Sequence, residues 1–300
     1  MKKQFLIISA VVLSVCGCGK TPVAGPETPD TPDPLKIPIN LSTDIWSKAT
    51  DSGFETNDKV GIYTVNYANG APGTLTTSGN HLDNVSFTYN GSVWNPATPV
   101  YWKDETTPAD FYCYYPYTGS VGDVTALAFS VKEDQSTLAN YKASELLWGK
   151  TEGAKPSADP VNITTRHAMS NLIIYVVPGN GYTEETLAAE TVSVSIASVM
   201  TSAKINLATG KVSATGAAGT VAPYKESSYW RALIVPQDVV GAELVKVTVG
   251  EKTYTLNQTV SFESNKQYKC TITINRVSEG VNIGIGGWEK GEIDFGGTVE

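Results

Sequence analysis

From Lys36 to the C-terminus, apolar residues recur at every second position in short runs, with turn residues between the runs and no sustained helical stripe. This alternation constrains the fold strongly, because successive side chains of an extended chain point to opposite faces. Ile37, Ile39 and Leu41 alternate, as do Leu127, Phe129 and Val131. The pattern continues through 172–177, Val192 with Val194 and Ile196, Ile205 with Leu207, and Val245 with Val247 and Val249. Tyr268, Cys270, Ile272 and Ile274 follow, then Val281, Ile283 and Ile285, and finally Ile293 and Phe295. Asn69-Gly70, Asn90-Gly91, Thr209-Gly210 and Gly250-Glu251 punctuate the runs with turn residues. Many short strands at this spacing predict an all-β protein built of sandwiches, each sheet burying one face. Short helices are expected only near 134–141 and 184–189.

The first 18 residues, MKKQFLIISAVVLSVCGC, follow a different logic. Lys2 and Lys3 precede an apolar run at 5–15 that is too short to span a bilayer and reads as a secretory signal. A lipoprotein signal needs a small residue before the modified cysteine. Gly17 before Cys18 meets that need, and Val15 before Cys16 meets it poorly. The expectation is a signal peptide at 1–17, lipidation at Cys18, export, and attachment to a membrane surface through acyl chains. Residues 18–35 contain five prolines and little that can pack, so they read as an extended tether of about 3.1 Å per residue.

Loss of 1–17 removes two lysines and no acid, taking the net charge from −8 to about −10. A chain this acidic lacks the basic face that phosphate neutralisation requires, so nucleic acid is not an expected partner. The remaining length suits two domains, 36–155 and 156–300, with the boundary in 153–160 where Pro156 and Pro160 interrupt a polar stretch. Beyond Cys18 only Cys113 and Cys270 remain, too few and too far apart for a disulfide framework. Cys270 shares a face with Tyr268, Ile272 and Ile274 and reads as a small core hydrophobe.

The inventory for catalysis is thin. His81 lies in a polar loop and His167 stands just before a strand, neither with partners at metal-ligand spacing, and both read as histidines satisfied by hydrogen bonds. No nucleophile elbow, phosphate loop or H-E-x-x-H is present. The expectation is a protein that is not an enzyme, with no catalytic residue, metal or cofactor.

Aromatic residues gather at 94–117, where Trp94, Tyr101, Trp102, Phe111, Tyr112, Tyr114, Tyr115 and Tyr117 occupy a strand, a turn and a second strand. Rings on both faces of a strand mean burial on both sides, or one core face and one exposed platform for stacking on sugars. Trp94 with Pro99-Val100-Tyr101-Trp102, then the run from Phe111 through Tyr117, resembles the W…P-x-Y-W…F-x-A-Y-Y-P-Y block of fimbrillin-like proteins, the type V pilus subunits of Bacteroidetes. Leu147-Trp148-Gly149 resembles the family's D-L-L-x-G element, with Glu145 in place of the usual Asp. The run from Arg166 through Leu172 is similar to its H-x-M-A-K-L element, and the run from Leu233 through Gln237 to its I-x-P-Q element. Asn265-Lys266-Gln267-Tyr268 and Gly287-Trp288 match its end, so the resemblance extends from about Trp46 to Trp288.

The resemblance implies two transthyretin-like β-sandwich domains in tandem and a structural, adhesive fimbrial subunit. It would reach the outer membrane as a surface-exposed lipoprotein and assemble by strand addition into a groove of a neighbouring subunit. Its partners would be other pilus subunits, the outer membrane through the lipid, and a host or bacterial surface ligand. Ile37, Ile39 and Leu41 are then the candidate exchanged strand, since Pro38 suits only an edge strand. The bond between Lys36 and Ile37 is the candidate processing point. The C-terminal segment at 286–300, with Ile293 and Phe295, reads either as the donor strand or as the last strand of its own sandwich. The alternative from another class is a monomeric surface lipoprotein that binds glycans through Trp94, Trp102 and Trp148.

Overall fold

A computed structural model describes residues 36–45, 53–276, 292–294 and 297–299. Cys18, the tether and Phe295 lie outside the described residues. Strands β1 (Leu41–Ile45), β2 (Lys59–Ala68), β3 (Ala71–Pro72), β4 (Leu82–Tyr89), β5 (Trp94–Pro96), β6 (Ala109–Tyr115) and β7 (Leu127–Ser130) lead to a short helix, α1 (Leu138–Lys142). Then come β8 (Leu147–Ala154), β9 (Val161–His167), β10 (Ser170–Pro178), helix α2 (Glu184–Ala188), β11 (Val192–Ile205), β12 (Val212–Val221) and β13 (Tyr224–Lys225). The chain continues through β14 (Trp230–Ile234), β15 (Gln237–Val249), β16 (Lys252–Phe262) and β17 (Gln267–Ile274) to β18 (Glu292–Asp294) and β19 (Gly297–Val299). The fold is all-β, and the two helices fall in the two regions where the sequence predicts them.

The strands form three sheets. The first runs β1-β9-β8-β6-β2-β4-β5, with β3 hairpinned onto β2. The second runs β13-β14-β10-β17-β18, with β19 also on β17, and the third runs β12-β11-β15-β16, with β7 on β11. Residues 155–160 link β8 to β9 within the first sheet, which therefore continues to His167, past the expected boundary at 155/156.

Three hydrophobic clusters hold these layers. The second and third sheets face each other across one cluster, where Leu172, Ile174, Cys270 and Ile272 meet Ile196, Val245 and Val247. The first sheet buries both faces. On β6, Phe111 and Cys113 enter one cluster with Val60, Ile62 and Phe87, while Tyr112 and Tyr114 enter another with Tyr63 and Val65. That second cluster also takes in Ile205, Leu207, Leu233 and Val235, so the two halves of the chain share a core. Cys113 and Cys270 are buried in different clusters, with no disulfide between them, and burial pushes the Cys113 thiol up to about 12. Cys113 is thus an inert core side chain.

Candidate functional site

The terminal segments both finish as edge strands, and the N-terminal one closes a core. Residues 37–39 run antiparallel to 100–102, with the Ile39 amide donating to the Val100 carbonyl and the Trp102 amide to the Ile37 carbonyl, both at 2.9 Å. At Asn40 the chain crosses to β9, whose Val161 amide donates to the Asn40 carbonyl at 2.9 Å. The Asn40 side-chain amide donates to the Ala158 carbonyl at 2.9 Å. From there β1 pairs in parallel with β9, Leu41 opposite Val161 through Ile45 opposite Thr165. Since 100–102 follows β5 and β9 lies at the other end of the first sheet, the segment 37–45 ties the two ends of that sheet together.

Alternation decides which side chains enter the core. Ile39 and Leu41, 2% and 5% exposed, pack with Val100, Trp102, Val161 and Ile163, and Ile37 packs partly buried against the same cluster. Asn40 points out. Burying an Ile or Leu side chain is worth about 1.5–3 kcal/mol, and each main-chain hydrogen bond adds about 1 kcal/mol net. Lys36 is exposed, with its ammonium 5.6 Å from the Tyr101 ring centroid, and lies immediately outside the hydrogen-bonded stretch.

At the other terminus, β18 runs parallel to β17, placing Ile293 opposite Tyr268, and β19 places Gly297 opposite Ile272. In this state, the described backbone of the C-terminal segment is the last strand of its own sheet. Donation to a neighbour requires it to leave β17.

The tryptophans of the glycan alternative do not converge. Trp94 and Trp102 are 6% and 5% exposed and sit in the core closed by 37–45. Phe54 meets Trp94 edge-on at 4.9 Å, and Phe111 meets Trp102 at 5.4 Å. Trp102 donates its indole N–H to the Ser157 carbonyl at 3.2 Å. Trp148, on β8, donates to the Leu207 carbonyl at 2.8 Å and packs against the shared core. Trp94 and Trp102 thus offer no stacking face to solvent, because a sheet covered on both sides has no open platform.

Each histidine has a hydrogen-bonding partner. His81 Nε2 lies 2.8 Å from the Tyr101 carbonyl, and His167 Nδ1 lies 2.9 Å from Glu145 Oε2. Sequence reasoning passed over Gln135 and Gln237, whose buried amides hold backbone of distant strands, and over the buried Asp110. Asp110 meets the Lys150 ammonium at 3.2 Å and accepts the Gly153 amide at 2.9 Å. Burial alone would pull the Lys150 ammonium down, but hydrogen bonds to Glu152 and Asp110 hold it above its ordinary value. A polar residue inside the apolar run of β6 was the one local signal for Asp110, and Gln135 and Gln237 carried none, because their partners are distant in sequence.

Comparison with known proteins places this architecture. Residues 47–288 match a family model described as fimbrillin-like. The chain is 25% identical over 309 residues to a Bacteroides uniformis protein named as a fimbrium subunit, covering 97% of each chain. A solved Bacteroides ovatus structure, described as a cell adhesion protein, is similar with TM-score 0.65 at 18% identity, covering 79% of this chain and 92% of that one. A second, from Bacteroides uniformis and described in the same terms, has TM-score 0.62 at 22% identity, covering 80% and 93%. At those identities the two structures establish a shared fold.

Proposed function

This chain belongs to the fimbrillin-like family, and from that premise we propose that it is a structural and adhesive subunit of a cell-surface fimbria, assembled by strand addition. The supporting observation is the segment 37–45, an edge strand that fills a core groove with alternate side chains and joins it through main-chain hydrogen bonds. An extended segment of another subunit with the same alternation restores both sets of contacts, so the interactions lost on displacing 37–45 are remade. We take the fold as two transthyretin-like sandwich domains in tandem, the N-terminal one on the first sheet and the C-terminal one on the other two.

In this reading the signal peptide directs export, lipid on Cys18 places the precursor at the outer membrane, and the tether spaces the body from it. Cleavage between Lys36 and Ile37 then frees the subunit. That cut leaves β1 joined to the body, so the strand must peel away against its own high effective concentration. The C-terminal segment bearing Ile293 and Phe295 is the proposed donor, and other pilus subunits are the partners.

Paired cysteines test the register. With Val161→Cys, the groove residue that faces Leu41 before exchange, and Ile293→Cys in one chain, purified fimbriae are expected to give covalent ladders on non-reducing gels, and neither single variant does so. Fimbriae containing the protein but never laddering exclude the C-terminal donor. N-terminal sequencing of the same fimbriae tests the cut: a chain still beginning at acylated Cys18 removes it.

A further inference from the structure

Away from both terminal strands, a cleft of about 110 Å³ lies between the turn at 53–58, α1 and residues of β6, β8, β9 and β14. Leu147 and Leu233 supply apolar lining, and the partly open rings of Phe54 and Tyr115 meet edge to face at 5.7 Å. Tyr141 is capped by the Arg231 guanidinium at 4.3 Å from its ring centroid, and Glu226 holds that guanidinium at 2.9 Å. Two lining carboxylates are held in place by their neighbours. Asp58 accepts the Tyr115 hydroxyl at 3.1 Å and the Glu55 amide at 2.7 Å. Glu145 meets His167 at 2.9 Å through one oxygen and accepts the Leu146 amide at 3.1 Å through the other. At the rim Lys142 pairs with Glu55, and Leu138 is 42% exposed.

We propose that this cleft binds one pyranose ring of a glycan, its C–H face against Phe54 and Tyr115 and its hydroxyls donating to Asp58 and Glu145. Mostly apolar lining with a few convergent polar groups is the usual form of a small-molecule site. Each carboxylate oxygen accepts one bond from the protein and has capacity for another, so the cleft has surplus acceptors, which a polyol fills. A basic side chain also donates to carboxylates, but Leu138, Leu147 and Leu233 beside the Phe54 and Tyr115 rings give the lining an apolar face, which the C–H groups of a sugar ring cover and a small cation leaves open. The site gives chemical content to the adhesive part of the fimbrial reading and rests on that reading for its biological setting.

Saturation-transfer NMR on the full chain tests it, with methyl glycosides of glucose, galactose, mannose and N-acetylglucosamine as probes and ethylammonium and methylguanidinium as competitors of different chemistry. At least one glycoside is expected to bind, about tenfold or more weakly in Asp58→Asn and in Glu145→Gln, the loss of one charge-assisted hydrogen bond. Trp148→Phe, outside the lining, leaves binding unchanged. Leu138→Ser weakens it from the exposed rim, where the substitution does not disturb the core, and so keeps the test valid if a carboxylate variant misfolds. No transfer from any glycoside, or transfer indifferent to all three lining variants, overturns the proposal. Binding of either cation alone, lost in those variants, overturns it in favour of a cation site. The cysteine-ladder assay separates the two readings. Ladders without glycoside binding discard the saccharide site alone, and glycoside binding without ladders discards strand addition alone.

Discussion

Gln135 takes the place of a missing strand. Fully buried, it accepts the Leu233 amide and donates to the Leu233 carbonyl, both at 2.9 Å, as a paired strand would. Gln237 does the same for Met200, accepting its amide at 2.8 Å and donating to its carbonyl at 2.9 Å. Replacing Gln135 with Leu leaves a buried backbone donor and acceptor without partners, and is expected to cost about 2–4 kcal/mol, read from the urea midpoint. Gly210 is bound by two constraints at once. Its φ is +73°, and a Cβ there would lie 2.4 Å from the Trp148 ring. Gly210→Ala is therefore expected to destabilise by about 1–3 kcal/mol, and an unchanged midpoint would contradict the packing of that turn on β8. Three exposed aspartates add a small share of the acid response, screened by solvent. Hydrogen bonds from Thr107 and Thr106 hold Asp104 well below the ordinary 3.8, Thr125 does so for Asp123, and Ser136 for Asp134. Their folded values are depressed, so the stability they add is present above that ordinary value and lost as pH falls below it. Urea midpoints are expected to drop between about pH 5 and pH 2, and to drop less when all three are Asn. The turn residues at Gly210 were legible in the sequence, because Thr-Gly between alternating runs is a local signal. Gln135 was not, because its partner is 98 residues away.

Among the strands, β1 and β6 mark the extremes. β6 is buried on both faces and bonded on both edges, whereas among the described residues β1 is bonded on one edge only. Opening the segment 37–45 exposes Ile39 and Leu41 but leaves the central ladder of β2, β6 and β8 intact. Native-state hydrogen exchange is expected to show the Ile39, Trp102 and Val161 amides exchanging well before those of β6. Equal protection would mean that the groove opens only with global unfolding and would remove the exchangeable strand. Ile39→Ala is expected to cost about 2–5 kcal/mol. The alternation of Ile37, Ile39 and Leu41 announced a strand, and Pro38 announced an edge. The parallel pairing with β9 left no local trace, since Leu41 and Val161 are brought together only by the tertiary fold.

At the scale of the whole molecule, the shared cluster makes the two halves interdependent. β7, from the first half, pairs with β11 of the second, and Tyr63, Tyr112, Ile205 and Leu233 belong to one core. Unfolding is accordingly expected as a single transition, with tryptophan fluorescence, weighted to the first half by Trp94, Trp102 and Trp148, coinciding with far-ultraviolet circular dichroism. Two separated transitions would mean that each half folds alone. Local geometry explains why alternation, glycine turns and motif order were enough to read an all-β chain of the fimbrillin-like family: side-chain direction in a strand repeats every two residues whatever lies around it. Pairing partners, sheet closure and enclosed space depend on residues distant in sequence. The closing of the first sheet by 37–45, the burial of β6 on both faces and the meeting of Asp58, Glu145 and Arg231 around one cleft were therefore settled by tertiary packing alone.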